Sequence, residues 1–484
     1  MGNLQKQTIS GVIWSFIERF SVQGVLLLTT VFMARILSPE DYGLIGMLGI
    51  FMALSQVFID GGFSSALIQL KNKKEEDFST VFYINISVSI ILYVLLFITS
   101  PYISDFYNQP MLTAITRVYS LCLIINSLSS TSRTMLTIRI DFKKQSKISL
   151  ISALFSGIIG ITFAFDGYGV WALVAQTISQ SISNTLLCFY IVKWHPSFVF
   201  SVSSFKKLFS FGSKLLLSSI INSVYNNLYS LVIGKKFTSS DLGYYSRANH
   251  FAQFTGSNIS DILNRVCFPI LSRIQDDDSK LITVYRKYIK MTGFLMFPLV
   301  TLLCVSSKHL ILLLLGEKWI NSIPLLQILS VGYLFNGIVV INLNLLYVKG
   351  RSDLVLKLEI IKKTIAIIIL IISTLFSLKI VCIGFVVYTL IAFYLNTIYS
   401  KRFLNYGFIN QIHDLCPYIV ISFIVGVEGF IVSELISIHF ISLVVSALIC
   451  ICSYLLISHV ANLYAYNELR EIVCFYIKKT ILRH

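Results

Sequence analysis

The segment ARILSPEDYGLIG, Ala34–Gly46, is echoed two hundred positions later by GKKFTSSDLGYYS, Gly234–Ser246. Arg35 corresponds to Lys235, Ser38 to Thr238, Asp41 to Asp241 and Gly43 to Gly243, with apolar runs flanking both copies. Self-similarity at a fixed interval is the mark of a duplicated unit. A hydroxyl followed by aspartate suits a tight turn, and either side chain can cap the helix that follows. Each copy therefore reads as a turn entering a helix at the Asp-x-Gly.

The surrounding composition fixes the class. Of 484 residues, 56% are hydrophobic and 13% charged, and the mean hydropathy is +0.79. Globular domains carry about 25% charged residues. Apolar stretches recur along the chain, each long enough to cross a hydrocarbon core of roughly 30 Å as a helix. The first continues well past Leu28, too long for the apolar region of a removable signal. The nine cysteines are scattered without a CxxC pair, so they read as packing thiols rather than a metal or redox site.

The expected fold is all-α and polytopic, with about fourteen spanning helices. They lie near 10–34, 43–68, 79–100, 112–136, 148–165, 170–192, 208–233, 242–267, 288–306, 322–347, 355–377, 380–400, 414–433 and 437–459. Twenty-five lysines and arginines fall in one alternate set of loops and termini, against six in the other. The positive-inside rule then places both termini in the cytoplasm. The net charge of +16 largely reflects this bias, so it gives no reason to infer a nucleic-acid partner. Two hundred residues carry the chain through six helices, an even number, so both copies start from one membrane face. The expected domains are parallel repeats at 1–200 and 201–405. An additional helix pair at 406–460 and a cytoplasmic tail at 461–484 follow them.

Ionisable residues inside spans mark a pathway or an internal pair. Lys214, Ser218, Asn222, Asn226 and Ser230 form an i, i+4 series on one helical face, flanked by Tyr225 and Tyr229. Arg247, His250, Asn258, Asp261 and Arg265 form a similar stripe on the next helix. The first repeat holds Glu18, Arg19, Asp60, Arg117, Asn126, Ser130 and Arg133, whereas the centres of 355–377, 380–400 and 437–459 read as nearly free of charge. Glu18, Arg19 and Asp60 could pair among themselves, as could Asp261 and Arg265. The 214–230 stripe could be polar glue between helices or one wall of a cavity. Six basic residues (19, 117, 133, 214, 247, 265) against three acidic ones (18, 60, 261) make a cationic cavity suited to an anionic solute. Glu428, alone in its helix, reads as an interhelical contact or a coupling site. No nucleophile–base pair, phosphate-binding loop or metal cluster stands out, so no catalytic residue, metal or cofactor is expected.

Several segments resemble polysaccharide flippases of the Wzx type: Ala34–Met47, DGGFSSALIQ (60–69), FSTVFYINI (78–86), FKKLFSFG (205–212) and SSDLGYYSRA (239–248). The likeness is to the colanic-acid-exporter branch of the multidrug/oligosaccharidyl-lipid/polysaccharide superfamily and runs from about residue 5 to 405. One departure is Met33, where the pattern has leucine. The resemblance implies a bacterial inner-membrane protein that turns over undecaprenyl-diphosphate-linked oligosaccharide units for a capsule, O-antigen or exopolysaccharide. It implies a cationic cavity for the diphosphate, the final helices guiding the lipid tail, and a polymerase and chain-length regulator as partners.

Three other functions compete, one being a twelve-helix sugar or drug facilitator, whose loop after the second helix carries a Gly/Asp/Arg motif where this chain reads KNKKEED (71–77). An ion-coupled exporter of drugs or other small molecules, from the same superfamily, normally has twelve helices and a less basic cavity. A membrane-embedded polymerase or glycosyltransferase needs a sizeable outward loop with catalytic acids, whereas the outward loops here offer little beyond Asp105 and Asp166.

Overall fold

The computed structural model describes residues 21–471, without the side chains at 257–259, 261–263, 265 and 266. Every regular element among them is helical. The first compact unit ends at Gly243 and the second begins at Tyr244. The first holds α1 (Ser21–Ile36), α2 (Pro39–Asp60), α3 (Phe63–Gln69), α4 (Glu75–Tyr107) and α5 (Met111–Tyr119). It continues with α6 (Leu121–Ile138), α7 (Phe142–Phe165), α8 (Val170–Val192) and α9 (Val202–Lys236). Helix α10 (Ser239–Arg273) carries the chain into the second unit. There follow α11 (Asp278–Leu314), α12 (Ser322–Tyr333), α13 (Asn336–Val348) and α14 (Ser352–Ser373). Last come α15 (Leu378–Leu404), α16 (Phe408–Leu435) and α17 (His439–Val460).

Over the described residues, the fourteen expected spans are helical, three of them as broken pairs: α2 with α3, α5 with α6, and α12 with α13. Nine stretches among the described residues are long and apolar enough to cross a membrane, which makes this a polytopic helical membrane protein. The other five expected spans fall short for visible reasons. Helix α1 is described only from Ser21, α8 carries Gln176, Gln180 and Asn184, and α9 three asparagines. Helix α10 is rich in ionisable side chains, and α14 holds Lys357, Glu359, Lys362 and Lys363.

The repeated phrase starts its helices earlier than the expected Asp-x-Gly. Ser38 is the N-cap of α2, with Pro39 at its first turn. The Asp41 carboxylate accepts from the Ser38 amide and hydroxyl at 2.8 and 2.7 Å, and the Asp41 amide donates to the hydroxyl at 3.3 Å. Thr238 and Asp241 repeat this capping box at the start of α10, at 3.2, 2.8 and 3.1 Å. Gly43 and Gly243 therefore lie inside the helices, where a close approach requires them. A Cβ at Gly43 would stand 1.7 Å from the Ser239 carbonyl oxygen, and one at Gly243 would stand 1.9 Å from that of Pro39. Within the first unit, then, the two copies meet backbone to backbone, each glycine receiving the other's helix start.

A second glycine contact sets α9. Gly61 (φ 51°) and Gly62 (φ 74°) break the rod between α2 and α3 in the left-handed region. A Cβ on Gly62 would lie 2.5 Å from the Gly212 carbonyl oxygen, and one on Gly212 would lie 2.7 Å from that of Gly61. By packing, α9 thus joins α2, α3 and α4 in the first unit. Helix α7 presents Ser152, Ser156, Gly160 and Ala164, all buried at four-residue spacing, a small-residue face that lets neighbouring helices approach closely. Among those neighbours is α8, since a Cβ on Gly160 would stand 2.9 Å from Cβ of Gln176.

In the second unit one continuous core joins Tyr285, Ile289, Phe294 and Phe297 of α11 to Ile338 and Ile341 of α13 and Phe393 of α15. It also takes in Tyr418 and Val425 of α16 and Tyr454 of α17. The additional helix pair is therefore packed into this unit rather than appended to it.

Candidate functional site

Helix α9 separates two faces. Leu208, Gly212, Ser223 and Ile233 are buried. Lys214, Ser218, Asn222 and Asn226 are exposed, while Tyr225, Tyr229 and Ser230 are half-buried. The exposed part of this stripe runs from Lys214 to Asn226, with an ammonium at one end and two amides along it. Hydrocarbon penalises such a face heavily, so its chemistry calls for water or a polar ligand.

The remaining sequence-selected residues of the first unit lie in its polar interior. The Arg117 guanidinium sits 4.4 Å from the Phe97 ring centroid and donates from Nε to the Ser100 hydroxyl at 3.0 Å. Arg133 donates to the Asn184 side-chain oxygen, while its buried Nε has no partner in the structure. Asp60 accepts from the Ser64 hydroxyl at 2.5 Å, and Ser64 in turn accepts from Thr134 at 3.2 Å. The seam continues along α6 through Ser130–Asn85 (3.3 Å) and Ser127–Ser89 (3.0 Å). Arg117, Arg133 and Asp60 are thus held by separate neighbours rather than by one another. Glu18 and Arg19 lie outside the described residues, so the expected pairing with Asp60 lies outside them too.

In the second unit Arg247 is half-buried on α10. Two residues on, Asn249 accepts from the Tyr333 hydroxyl at 3.0 Å. The side chains of Asn258, Asp261 and Arg265 are outside those described. Glu428 accepts from Ser453 of α17 at 3.0 Å, the interhelical contact that was one of its two readings. Between α11, α12 and α16 runs a cleft of about 520 Å³ lined chiefly by Val300, Val305, Val331, Phe423, Val427 and Phe430.

Sequence reasoning missed two ionic clusters here. Lys362, only 4% exposed, pairs with Glu359 on the same helix, so α14 is not as free of charge as expected. The buried Asp414 carboxylate of α16 takes a two-pronged contact from Arg286 (2.8 and 2.9 Å), Lys290 at 3.3 Å and the Tyr406 hydroxyl at 2.7 Å. The i, i+4 pair Arg286/Lys290 before an apolar run was the available signal, but its partner lies more than a hundred residues away.

The profile of the polysaccharide biosynthesis protein family matches residues 32–324, more than half of the chain. The chain belongs to the polysaccharide biosynthesis protein family. That match begins just ahead of the first copy of the repeated phrase and takes in the second. The chain is 29% identical over 357 residues to the teichuronic acid biosynthesis protein TuaB of Bacillus subtilis, covering 73% of this chain and 74% of that one. It is also 29% identical over 366 residues to the lipopolysaccharide biosynthesis protein WzxC of Escherichia coli, covering 74% of each. The succinoglycan biosynthesis transport protein ExoT of Rhizobium meliloti is 24% identical over 67% of this chain and 66% of its own. Among solved structures, the lipid II flippase MurJ in an inward closed conformation superposes with a TM-score of 0.75 at 18% identity, covering 95% of this chain and 99% of that one. An inward-facing multidrug transporter of the MATE family superposes at 0.60 with 14% identity, over 79% and 94%. At these identities the likeness is one of fold: this family member has the helical architecture of those transporters.

Proposed function

We propose that the chain is a flippase carrying undecaprenyl-diphosphate-linked oligosaccharide units across the bacterial cytoplasmic membrane for a surface polysaccharide. The observation that carries this reading is the exposed Lys214–Asn226 stripe of α9, a polar cationic face that hydrocarbon would not tolerate. The names of the family relatives, which speak of teichuronic acid biosynthesis, lipopolysaccharide biosynthesis and succinoglycan biosynthesis transport, support the same class of cargo. In this reading the repeats at 1–200 and 201–405 are two lobes with alternating access, and both termini face the cytoplasm. Lys214 and Arg247, with Arg19, Arg117, Arg133 and Arg265 along the route, offer charge to the diphosphate. Asn222, Asn226, Asn258 and Tyr225 offer hydrogen bonds and an aromatic face to sugar hydroxyls. Glu18, Asp60 and Asp261 serve as ion-pair partners or coupling groups. The apolar cleft between α11, α12 and α16 accommodates the isoprenoid tail. No bond is made or broken on the cargo by this chain, which hands it to a separate polymerase and chain-length regulator.

Lys214→Ala should abolish surface polysaccharide in cells, with the protein at its normal membrane level and lipid-linked units accumulating on the cytoplasmic leaflet. Arg247→Lys should recover only part of the activity lost in Arg247→Ala, because an ammonium lacks the planar fork of a guanidinium. Full export per molecule from a Lys214→Ala, Arg247→Ala double variant would remove both residues from the mechanism.

A further inference from the structure

A second basic site lies apart from the α9 stripe. At the start of α11 a pocket of about 250 Å³ is lined by Ile282, Thr283, Arg286, Lys287, Lys290 and Tyr464. Its cations are positioned from behind. Asp414, 4% exposed, holds Arg286 and Lys290, and Glu468 holds Lys287 while accepting from the Tyr464 hydroxyl at 2.8 Å. The Lys290 ammonium stands 5.6 Å from the centroid of the Tyr464 ring. Two carboxylates thus face three cations. Stitching α11 to α16 and to the segment after α17 needs one cation per carboxylate; Asp414 has two, and Glu471 of the same segment also acts on Tyr464. Asp414 engages Nε and Nη2 of Arg286, leaving part of its five-donor fork free for another acceptor. The Arg286 side chain is 46% exposed, so that part is accessible.

The height of the pocket is set by three helices at once. The expected spans begin at 288 and 414 and end at 459, and the pocket residues cluster at those limits. That is the level of a phospholipid's phosphate, beside a tyrosine of the kind that anchors at the membrane–water boundary. Basic pockets between helices on the basic-loop side of a membrane suit anionic headgroups. We propose that this pocket binds the phosphate of an anionic phospholipid of that leaflet, clamping α11, α16 and the 464–471 helix together. The site is independent of the transported cargo.

The test uses the full-length protein in neutral detergent, titrated with phosphatidylglycerol, with phosphatidylcholine, or with inorganic phosphate alone. Thermal midpoint and lipid retained after size exclusion are read. Phosphatidylglycerol should raise the midpoint and be retained, and phosphatidylcholine should do neither. A Lys287→Gln, Lys290→Gln double variant should bind phosphatidylglycerol roughly tenfold more weakly. Thr283→Phe, which fills the pocket and leaves every ion pair in place, should give the same loss, and it decides the matter if the double variant elutes aggregated. Equal binding of the two lipids, or undiminished phosphatidylglycerol binding by Thr283→Phe, would overturn the proposal. A midpoint shift from phosphate alone with no lipid retained would also overturn it, in favour of a soluble-phosphate site.

Discussion

Two glycines carry the repeated phrase. An alanine methyl at position 43 or 243 cannot coexist with a carbonyl oxygen 1.7 or 1.9 Å away, so the helix starts must part. Overpacking costs about 1–3 kcal/mol where side chains yield, and a backbone yields less readily. Gly43→Ala and Gly243→Ala should each lower the thermal midpoint in detergent clearly. Gly49→Ala, whose nearest atom would be Asn227 Oδ1 at 3.6 Å, should leave it unchanged. Fluorescence-detected size exclusion after heating compares all three. A second prediction at this scale concerns acid. Lys287 and the Tyr464 hydroxyl hold the Glu468 carboxyl below its ordinary value of 4.5. A depressed carboxylate stabilises the fold above its unfolded value, and that contribution disappears as pH falls through the folded one. Wild type should therefore lose its advantage over Glu468→Gln on acidification below about 4.5, while the gap stays constant between pH 6 and 8. A gap that narrows only above pH 6 would contradict the assignment.

At the scale of elements, helix positions were legible because apolar runs longer than lipid is thick are hard to misplace. The starts of α2 and α10 were less so. Asp-x-Gly looks like a turn until the capping boxes at Ser38 and Thr238 are seen to enclose it. The polar stripe of α9 was legible from its four-residue spacing, whereas its exposure from Lys214 to Asn226 was not, because spacing alone does not say what a face meets. The Asp414 cluster was illegible for the opposite reason, since its members gather from α11, α16 and the turn between α15 and α16. Helix α7 offers the cleanest test of packing. Its buried face meets α8 at Gly160, where a Cβ would stand 2.9 Å from Gln176 and 3.1 Å from the Met33 sulfur. Gly160→Leu should destabilise the first unit by about 1–3 kcal/mol or more. Ile158→Leu, on the outer face at 66% exposure, should leave the midpoint in place.

For the whole molecule, the distribution of lysine and arginine makes a topological prediction. In a cysteine-free background, single cysteines at Asn72 and Lys144 should react only with reagent on the cytoplasmic side, and those at Asn108 and Gly167 only from outside. All four positions are exposed in the structure. Cytoplasmic labelling of Asn108 would break both the orientation and the parallel repeat. The contact between the two copies of the phrase bears on movement as well. Interlocked side chains behave like gear teeth and must disengage before two helices can change angle. Gly43 and Gly243 let α2 and the first turn of α10 touch backbone to backbone, with the Ser239–Glu40 hydrogen bond at 3.3 Å beside the contact. Bare cylinders can roll on one another while staying in contact. The most repetitive words in the chain therefore mark a contact made without interlocking side chains at its two glycines.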